Sequence, residues 1–410
     1  MSRNLEDSRG LVLVGFAEAM SAPEVVWSLV DAGFQAVAFC RRGRASALRQ
    51  SHHLVVHEIS APESDLQRAL ADLQALMTSL DAAANGAPRI LFPLDDTAVW
   101  LCSQANPGPD WILAGPRGAS AKLALNKDVQ VAEALEAGFN VPKSATAKTA
   151  KEIYAFCDLA AFPIMLKPAE CVPVRQNRIQ GCRKWICANR DELDSAVAEW
   201  AECVPLLVQP FVAGVGEGVF GLAAAEGVRA WSAHRRLRMM NPQGSGSSAC
   251  ISQPLPDEVR SPVEKLVRIT GWRGLFMIEM LRDHSGKTWF VELNGRPWGS
   301  MSLCRRQGLE YPAWHVQLAL DPGSAAGQSA ASAPGLVCRN AGREFLHLLF
   351  VLRGPRSKAL NGWPSFGKTL ADVCRVRRGD TWYNWRREDP KVFFADCFNT
   401  VKSNLFKSKH

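Results

Sequence analysis

Residues 276–296 contain a cluster of side chains that commonly bind metal ions, among them Glu279 and Glu292. Two apolar runs flank a polar turn in this segment, which predicts a β-hairpin. If Asp283 and Thr288 close the turn, Glu279 and Glu292 lie directly opposite each other. Carboxylates placed in this way repel unless a cation lies between them. The hairpin therefore predicts a cation site.

Side-chain alternation places Asn294 on the same face as Glu292, with Arg296 two residues further on. Two carboxylate oxygens and an amide oxygen suit Mg²⁺, with Mn²⁺ as an alternative ion, and Mg²⁺ commonly completes its shell with water and nucleotide phosphate. We therefore predict that Glu279, Glu292 and Asn294 bind the metal. The alternative is a solvent-facing hairpin with ordinary surface charges, but ligand types clustered beside an arginine argue against it.

The same segment resembles a known enzyme family. Residues 292–300 read E-L-N-G-R-P-W-G-S, which is similar to the E-x-N-x-R-x-x-G-S signature of ATP-grasp enzymes, and Glu279 stands at the position of their first metal carboxylate. Further segments resemble ATP-grasp motifs in family order between about residues 125 and 320. The closest likeness is to the carboxylate–amine ligase branch whose metal strand ends in Trp-Gly-Ser.

The resemblance also implies a nucleotide site. The residues that it assigns to ATP are Lys127, Lys167, Gln209, Phe211, Val212 and Glu217. The two lysines would reach the phosphates, and the hinge at residues 206–214 would read adenine through the Gln209 side chain and the backbone near Val212. Glu217 would approach the ribose, with a solvated turn glutamate as the alternative.

The reaction that the resemblance implies is ATP-dependent ligation of a small-molecule carboxylate to an amine through an acyl phosphate. Arg296 would stabilise the tetrahedral intermediate or hold the acyl phosphate, and Arg235 or Arg236 would lie near the substrate carboxylate. Lysines, an arginine and Mg²⁺ are the groups that phosphoryl transfer requires. Two alternatives are an ATP-grasp kinase acting on a hydroxyl and a non-catalytic nucleotide-binding regulatory protein. A homodimer is left open.

The chain departs from the family at three places. The loop at residues 169–184 has only Gly181, whereas many relatives carry a glycine-rich flap over the phosphates there. Gly295 replaces a common proline, and Pro210 replaces a frequent acidic residue in the hinge. None of these changes removes a metal ligand, but the first leaves open how the loop closes.

Other motifs carry weaker signals. Residues 362–369 match the phosphate-loop pattern, but no buried strand precedes them and Pro364 lacks an amide hydrogen. Residues 216–221 match the dinucleotide fingerprint, yet they lead into an apparent strand where the fingerprint requires a helix, so we expect a turn between strands. His52 and His53 lie in no ligand pattern, so we interpret them as surface residues.

Several elements must position these side chains. Short apolar runs alternate with helical patterns over residues 1–118, which predicts a Rossmann-like parallel-sheet domain that ends in the Pro- and Gly-rich stretch 106–120. Paired strands follow beyond residue 206. We therefore predict an α/β and α+β protein. Its parts are an N-terminal α/β domain at 1–118, an ATP-grasp domain at 119–325 with a small lobe at about 143–212 and a large lobe at about 213–325, and a basic C-terminal extension at 336–410.

Composition limits the protein class. The 410 residues are 47% hydrophobic, which excludes disorder as the main state. The 12 cysteines are scattered, so we expect reduced thiols. The N-terminal residues are charged and no apolar run is long enough for a membrane span, which favours a cytoplasmic protein without a membrane span.

The C-terminal tail carries the positive charge. Residues 339–410 hold 15 Lys and Arg against 6 Asp and Glu, interleaved with tryptophans and phenylalanines after a Gly-, Ser- and Ala-rich stretch at 323–335. This combination can bind nucleic acid or an acidic surface. We favour a helical subdomain that packs its aromatic side chains on the core, and do not expect a nucleic-acid partner.

Overall fold

A computed structural model gives the fold. The residues that it describes are 8–81, 86–105, 108–244, 246–328, 332–355, 357 and 362–405. Parts of the predicted N-terminal segment, domain boundary, linker and basic tail lie outside these residues. The described chain combines one parallel sheet with antiparallel sheets, which confirms the predicted α/β and α+β class. None of its helices is both long enough and apolar enough to cross a membrane.

Parallel strands build the N-terminal part. Its elements are β1 (Leu11–Gly15), α1 (Ala22–Asp31), β2 (Gln35–Arg41), a short 3-10 helix (Ala47–Gln50), β3 (Val56–Ile59), α2 (Leu66–Asp81), β4 (Arg89–Pro93), α3 (Asp96–Gln104) and β5 (Trp111–Leu113). The strand order is β3-β2-β1-β4-β5. Every residue of β1 is buried, because apolar clusters cover both faces of the sheet. β5 lies inside the stretch that the sequence predicted as a boundary. Its three residues pair with β4 and so belong to the N-terminal sheet.

A small antiparallel sheet follows. The elements of this part are α4 (Gly118–Leu125), α5 (Lys127–Ala137), β6 (Ala145–Ala147), α6 (Ala150–Cys157), β7 (Ile164–Pro168), β8 (Val174–Arg175), β9 (Arg178–Ile179), β10 (Trp185–Cys187), α7 (Arg190–Trp200) and β11 (Leu206–Pro210). The strands β10-β7-β11-β6 form the sheet, and α6 and α7 bury Ile153, Leu193 and Trp200 against it.

A large sheet forms the other side of the molecule. Its elements up to residue 320 are β12 (Val215–Ala224), β13 (Gly227–Met239), β14 (Ser247–Gln253), α8 (Asp257–Thr270), β15 (Gly274–Arg282), β16 (Thr288–Asn294), α9 (Met301–Arg305) and α10 (Tyr311–Leu320). β12 runs through the residues that match the dinucleotide fingerprint, so these residues form a strand, and the expectation of a turn there was wrong. One apolar cluster contains residues of both β1 and β12, which joins the large sheet to the N-terminal part.

The C-terminal segment completes the large sheet. It consists of β17 (Val337–Arg339), α11 (Ala341–Arg353), α12 (Phe366–Cys374), β18 (Thr381–Trp382) and α13 (Pro390–Leu405). β17 pairs with β14 and β18 pairs with β17, which gives the order β16-β15-β12-β13-β14-β17-β18. This part is therefore no appended extension. One of its basic residues, Arg339, enters the core as an ion pair, since it is 2% exposed and lies 2.9 Å from Glu344.

Two expectations about this segment have different outcomes. The phosphate-loop match spans the start of α12. The element that precedes it in the described chain is the helix α11, whereas a phosphate loop follows a strand. The aromatic side chains do not all pack inward: Trp363 Nε1 donates to the Val351 carbonyl at 3.0 Å, whereas Phe394 and Phe398 are 64% and 65% exposed. The preference for buried aromatics was therefore wrong for α13.

Candidate active site

β15 and β16 form the predicted hairpin, and Glu279 lies directly opposite Glu292. The turn differs from the prediction, because Arg282 rather than Asp283 pairs with Thr288. A β-bulge next to Glu279 then restores the predicted register. Both carboxylates line the same cleft between the small and the large sheet.

Asp283 shapes this turn instead of pairing across it. Its carboxylate accepts hydrogen bonds from the backbone amides of Ser285 and Lys287 at 2.9 and 3.0 Å, and from Trp289 Nε1 at 2.8 Å. A side chain that binds the turn's own amides fixes a tighter loop. The extra residue is then absorbed as the bulge.

Arg236 lies beside Glu279 on the cleft face of the large sheet. Its Nη1 is 2.8 Å from Glu279 Oε1, and only 8% of the Arg236 side chain is exposed. Gly216 leaves room for it, since a Cβ there would come within 2.6 Å of Arg236 Cδ. Arg235 is exposed and lies on the opposite face, because neighbouring strand residues alternate. Of the two candidate arginines, the structure brings only Arg236 to the cleft.

Glu292 lies among cationic side chains. Lys127 Nζ is 4.0 Å from Glu292 Oε2. Burial by itself raises the pKa of the Glu292 carboxyl, but the positive charges of Lys184, Lys127 and Lys167 outweigh burial and lower this pKa to about 2. Glu292 is therefore ionised at neutral pH, as a metal ligand must be. Lys184 is an addition to the predicted set, in the loop that follows β7.

The start of α5 holds Lys127 in place. The Asn126 side chain accepts a hydrogen bond from the Asp128 amide at 2.9 Å and caps the helix. Lys127 Nζ lies 3.1 Å from Cys171 Sγ. Burial lowers the pKa of Lys127, but Cys171 and Glu292 outweigh burial and hold this pKa above its ordinary value. Lys127 is thus a fixed positive charge.

Lys167 approaches the same carboxylate from β7. Its side chain is buried, and burial lowers the pKa of Lys167 to about 8, although Glu292 opposes this shift. Lys127 adds to the shift as a neighbouring cation. Lys167 is therefore protonated at neutral pH but close to losing its proton.

Gln130 fixes β16 between Glu292 and Asn294. The Leu293 amide donates to Gln130 Oε1 at 3.0 Å, and Gln130 Nε2 donates to the Leu293 carbonyl at 2.9 Å. Asn294 Nδ2 lies 3.4 Å from Glu292 Oε1, so its amide group is next to the carboxylate. The sequence separates Gln130 from Leu293 too widely for their contact to be predicted. Its only signal was a glutamine among the apolar residues of a helix.

Gly295 is a position at which the chain departs from the motif that it resembles. A Cβ at this position would come within 2.5 Å of the Trp272 ring and 3.1 Å of Ala124 Cβ. The backbone therefore passes too close to its neighbours for a larger residue. Packing accounts for this departure from the family pattern.

Arg296, two residues after β16, connects this part of the large sheet to the N-terminal part. Its Nε is 2.9 Å from Asp96 Oδ1, and its Nη2 is 3.4 Å from Asp96 Oδ2. Burial lowers the pKa of Arg296, but Asp96 outweighs burial and raises it. Asp96 was missed in the sequence. Its signal was its place just after β4, because the carboxyl ends of parallel strands often carry functional residues.

The cleft has a volume of about 960 Å³. From the predicted set it is lined by Lys167, Gln209, Phe211, Val212, Arg236, Glu279 and Glu292. Gln209 Nε2 donates to Ser144 Oγ at 2.6 Å, and the Phe211 amide donates to the Pro163 carbonyl at 2.8 Å. These bonds hold the end of β11 at one side of the cleft.

Glu217 does not line the cleft, which corrects the prediction of a ribose contact. Its carboxylate is buried and accepts two hydrogen bonds from Arg282, both at 2.9 Å. Alternation along β12 turns it to the face opposite Gly216. It is also no solvated turn residue, since the ion pair with Arg282 lies within the sheet.

The loop at residues 169–184 contains the small hairpin β8–β9. Gln176 and Asn177 have φ angles of 47° and 59°, the left-handed values that a type I′ turn requires. The Asn177 carbonyl accepts a hydrogen bond from the Leu66 amide at 2.9 Å, and its Oδ1 accepts one from the Gln67 amide at 3.1 Å. The loop thus rests on the first turn of α2, and it forms its turn without the glycines expected there.

Comparisons with known proteins place the chain by its structure. No family model matches it, and no curated protein matches it. An L-amino acid ligase from Bacillus licheniformis superposes with a TM-score of 0.59 at 16% identity, covering 81% of this chain and 79% of the ligase.

Two further solved structures are similar. The biotin carboxylase domain of the Hydrogenobacter thermophilus 2-oxoglutarate carboxylase, bound to MgADP and bicarbonate, gives a TM-score of 0.60 at 17% identity, with 80% and 73% coverage. An N5-carboxyaminoimidazole ribonucleotide synthetase bound to ADP gives 0.60 at 13% identity, with 89% and 96% coverage. At these identities the similarity shows the fold alone.

Proposed function

Because the chain has the ATP-grasp fold, we propose that it is an ATP-dependent carboxylate–amine ligase. The observation that carries the proposal is the pair Glu279 and Glu292, opposite each other in the cleft, with lysines from two other elements directed at Glu292. Two adjacent carboxylates provide hard oxygen ligands, and the lysines match the charge of phosphates.

The similar structures support this choice of reaction. One is named a ligase of amino acids, and two others contain ADP, in one case with magnesium. The carboxylase domain binds ADP together with bicarbonate, a small acid. We extend that chemistry to this chain as a proposal, because the cleft here has the charge pattern that it needs.

The donor set fits Mg²⁺, or Mn²⁺ in its place. Glu292 is ionised and Glu279 faces it across the ladder, so both offer carboxylate oxygens, and Asn294 lies beside Glu292. When bound, the ion would neutralise charge on the transferred phosphoryl group. Lys127 and Lys167 would hold the phosphates, while Gln209, Phe211 and Val212 would line the adenine side of the cleft.

The proposed reaction has two steps. A substrate carboxylate oxygen attacks the γ-phosphorus of ATP, the bond to the β,γ-bridging oxygen breaks, and ADP leaves. An amine nitrogen then attacks the acyl carbon, loses a proton, and phosphate leaves as the amide forms. Arg236, beside Glu279, is placed to hold the substrate carboxylate, and Arg296, oriented by Asp96, is placed to stabilise the oxyanion.

An ADP-release assay with arrays of acids and amines tests the proposal. ADP should form only when an acid and an amine are both present, and hydroxylamine should replace the amine and yield a hydroxamate. ADP formed with a hydroxyl substrate, together with a stable phosphorylated product, would instead show a kinase. Thermal stabilisation by ATP without ADP release under any mixture would indicate a regulatory protein.

ATP affinity is expected to fall as the pH rises above about 8. Lys167 has a folded pKa of about 8, so above that pH it is neutral in the free protein and must take up a proton to pair with a phosphate. The dissociation constant should then rise by up to about tenfold per pH unit. Calorimetry with a non-hydrolysable ATP analogue, in two buffers of different ionisation enthalpy, measures both the affinity and the proton uptake.

The variant Lys167→Arg is the control for this pH effect. Arginine keeps its charge at these pH values, so the slope and the proton uptake should disappear even if the affinity changes. A wild-type affinity that does not vary between about pH 7 and pH 9 would contradict the role given to Lys167.

A further inference from the structure

A buried carboxylate lies between the C-terminal segment and the N-terminal part. It does not line the cleft. Asp389, just before α13, is 2% exposed. Its Oδ2 accepts hydrogen bonds from Trp27 Nε1 at 3.2 Å and from Ser51 Oγ at 2.5 Å. These two donors fix the carboxylate and leave its other oxygen, Oδ1, directed elsewhere.

Two histidines stand at this second oxygen. His52 Nδ1 is 3.4 Å from Asp389 Oδ1, and the centroids of the His52 and His53 rings are 4.0 Å apart, with the ring planes tilted by 36°. His53 Nε2 is buried and has no hydrogen-bond partner among the described residues. One ligand atom from each of the three side chains lies within 4.8 Å of the other two. The interpretation of His53 as an ordinary surface residue was therefore wrong.

The chemistry of these three groups suits a transition-metal ion. A buried imidazole nitrogen without a hydrogen-bond partner among the described residues, such as His53 Nε2, is available to a metal ion. Two imidazole nitrogens and a carboxylate oxygen are ligands of Zn²⁺, with water in the fourth position. Bonds of about 2.0 Å in a tetrahedron place ligand atoms about 3.3 Å apart, close to the separation of His52 and Asp389.

We propose that His52, His53 and Asp389 form a Zn²⁺ site that ties the C-terminal segment to the N-terminal part of the molecule. The exposed His52 ring and a small rotation of His53 complete the ligand set. Trp27 and Ser51 orient the carboxylate as outer-shell partners. The neighbouring cation Arg386 donates hydrogen bonds to both carboxylate oxygens of Asp31, at 2.8 and 3.1 Å, so the charge of Arg386 is compensated.

The test uses the full chain, freed of metal by a chelator and kept in excess Mg²⁺ so that the cleft carboxylates are occupied. Titration with Co²⁺ should give visible absorption bands of a four-coordinate site at one equivalent, and Zn²⁺ should displace them and raise the melting temperature. His53→Gln and His52→Gln should each weaken binding by at least about tenfold. His57→Gln, in the same part of the molecule but outside the cluster, is the matched control and should bind as the wild type does.

Three results would overturn the site. The wild type could bind no equivalent of Co²⁺ or Zn²⁺, in which case Asp389 and His52 form an ion pair only. Binding could be equally strong in His53→Gln and in His57→Gln. Binding could also vanish in Glu292→Gln while it persists in the histidine variants, which would place the ion in the cleft. Asp389→Asn should also weaken binding of the ion. If the Asp389→Asn protein does not fold, the two histidine variants decide whether the site exists. Each result is independent of the proposed ligase activity.

Discussion

Glu292→Gln is expected to lower the rate of ATP turnover by about 10²–10³-fold, the size of effect seen when one preorganised charge-stabilising group is removed from an active site. Glutamine keeps the shape of the side chain but removes the charge that faces Lys127, Lys167 and Lys184. ADP release under saturating acid, amine and ATP measures the effect. Undiminished ADP release would refute the assignment of Glu292 to the metal.

The same variant should still fold. Loss of one partner from a buried ion pair costs about 3–5 kcal/mol, but this carboxylate lines an open cleft, so we expect a decrease of about 1–3 kcal/mol in the free energy of unfolding. Lys167 limits the cost further, since its pKa of about 8 allows it to release a proton. Glu264→Gln is the matched control, because Glu264 is exposed on α8 and its one ion pair among the described residues is with Arg260, at 3.9 Å. It should leave both turnover and stability unchanged.

Arg236→Met should reduce kcat/KM by about 10²-fold or more, whereas Arg235→Met should leave it within about twofold. The two arginines are adjacent on β13, yet only Arg236 enters the cleft, where it lies 2.8 Å from Glu279. Its loss leaves the two opposed carboxylates without their nearest cation on the Glu279 side. Steady-state kinetics with each substrate varied in turn measure the effect.

Separate KM values identify the role of Arg236. A larger increase in KM for the acid than in KM for ATP would support a contact with the substrate carboxylate, and Arg236→Lys should recover part of the loss. If Arg235→Met and Arg236→Met lowered kcat/KM equally, alternation along β13 would not decide which arginine acts. The assignment of Arg236 would then be wrong.

Local pattern was sufficient for the hairpin and for the class of fold. Strand alternation and a polar turn predicted that Glu279 faces Glu292, and the structure has this pair. The prediction survived an error in the turn, because a bulge absorbs the extra residue while the apolar residues of both strands stay in the core. The alternation of short strands and helices likewise predicted the parallel sheet, since that pattern is local.

Tertiary structure alone decided which polar residues meet. Arg235 and Arg236 are neighbours on β13, and Gly216 and Glu217 are neighbours on β12. In each pair, the face of the strand decides which residue reaches the cleft, and that depends on what covers each side of the sheet. Asp96 reaches Arg296, and Gln130 reaches Leu293, across distances in the chain at which a sequence pattern carries no signal. The same is true of Asp389, whose contact with His52 depends on how α13 packs on the 3-10 helix Ala47–Gln50. Periodicity determines the face that each residue presents, whereas the approach of two faces depends on the packing of the whole core.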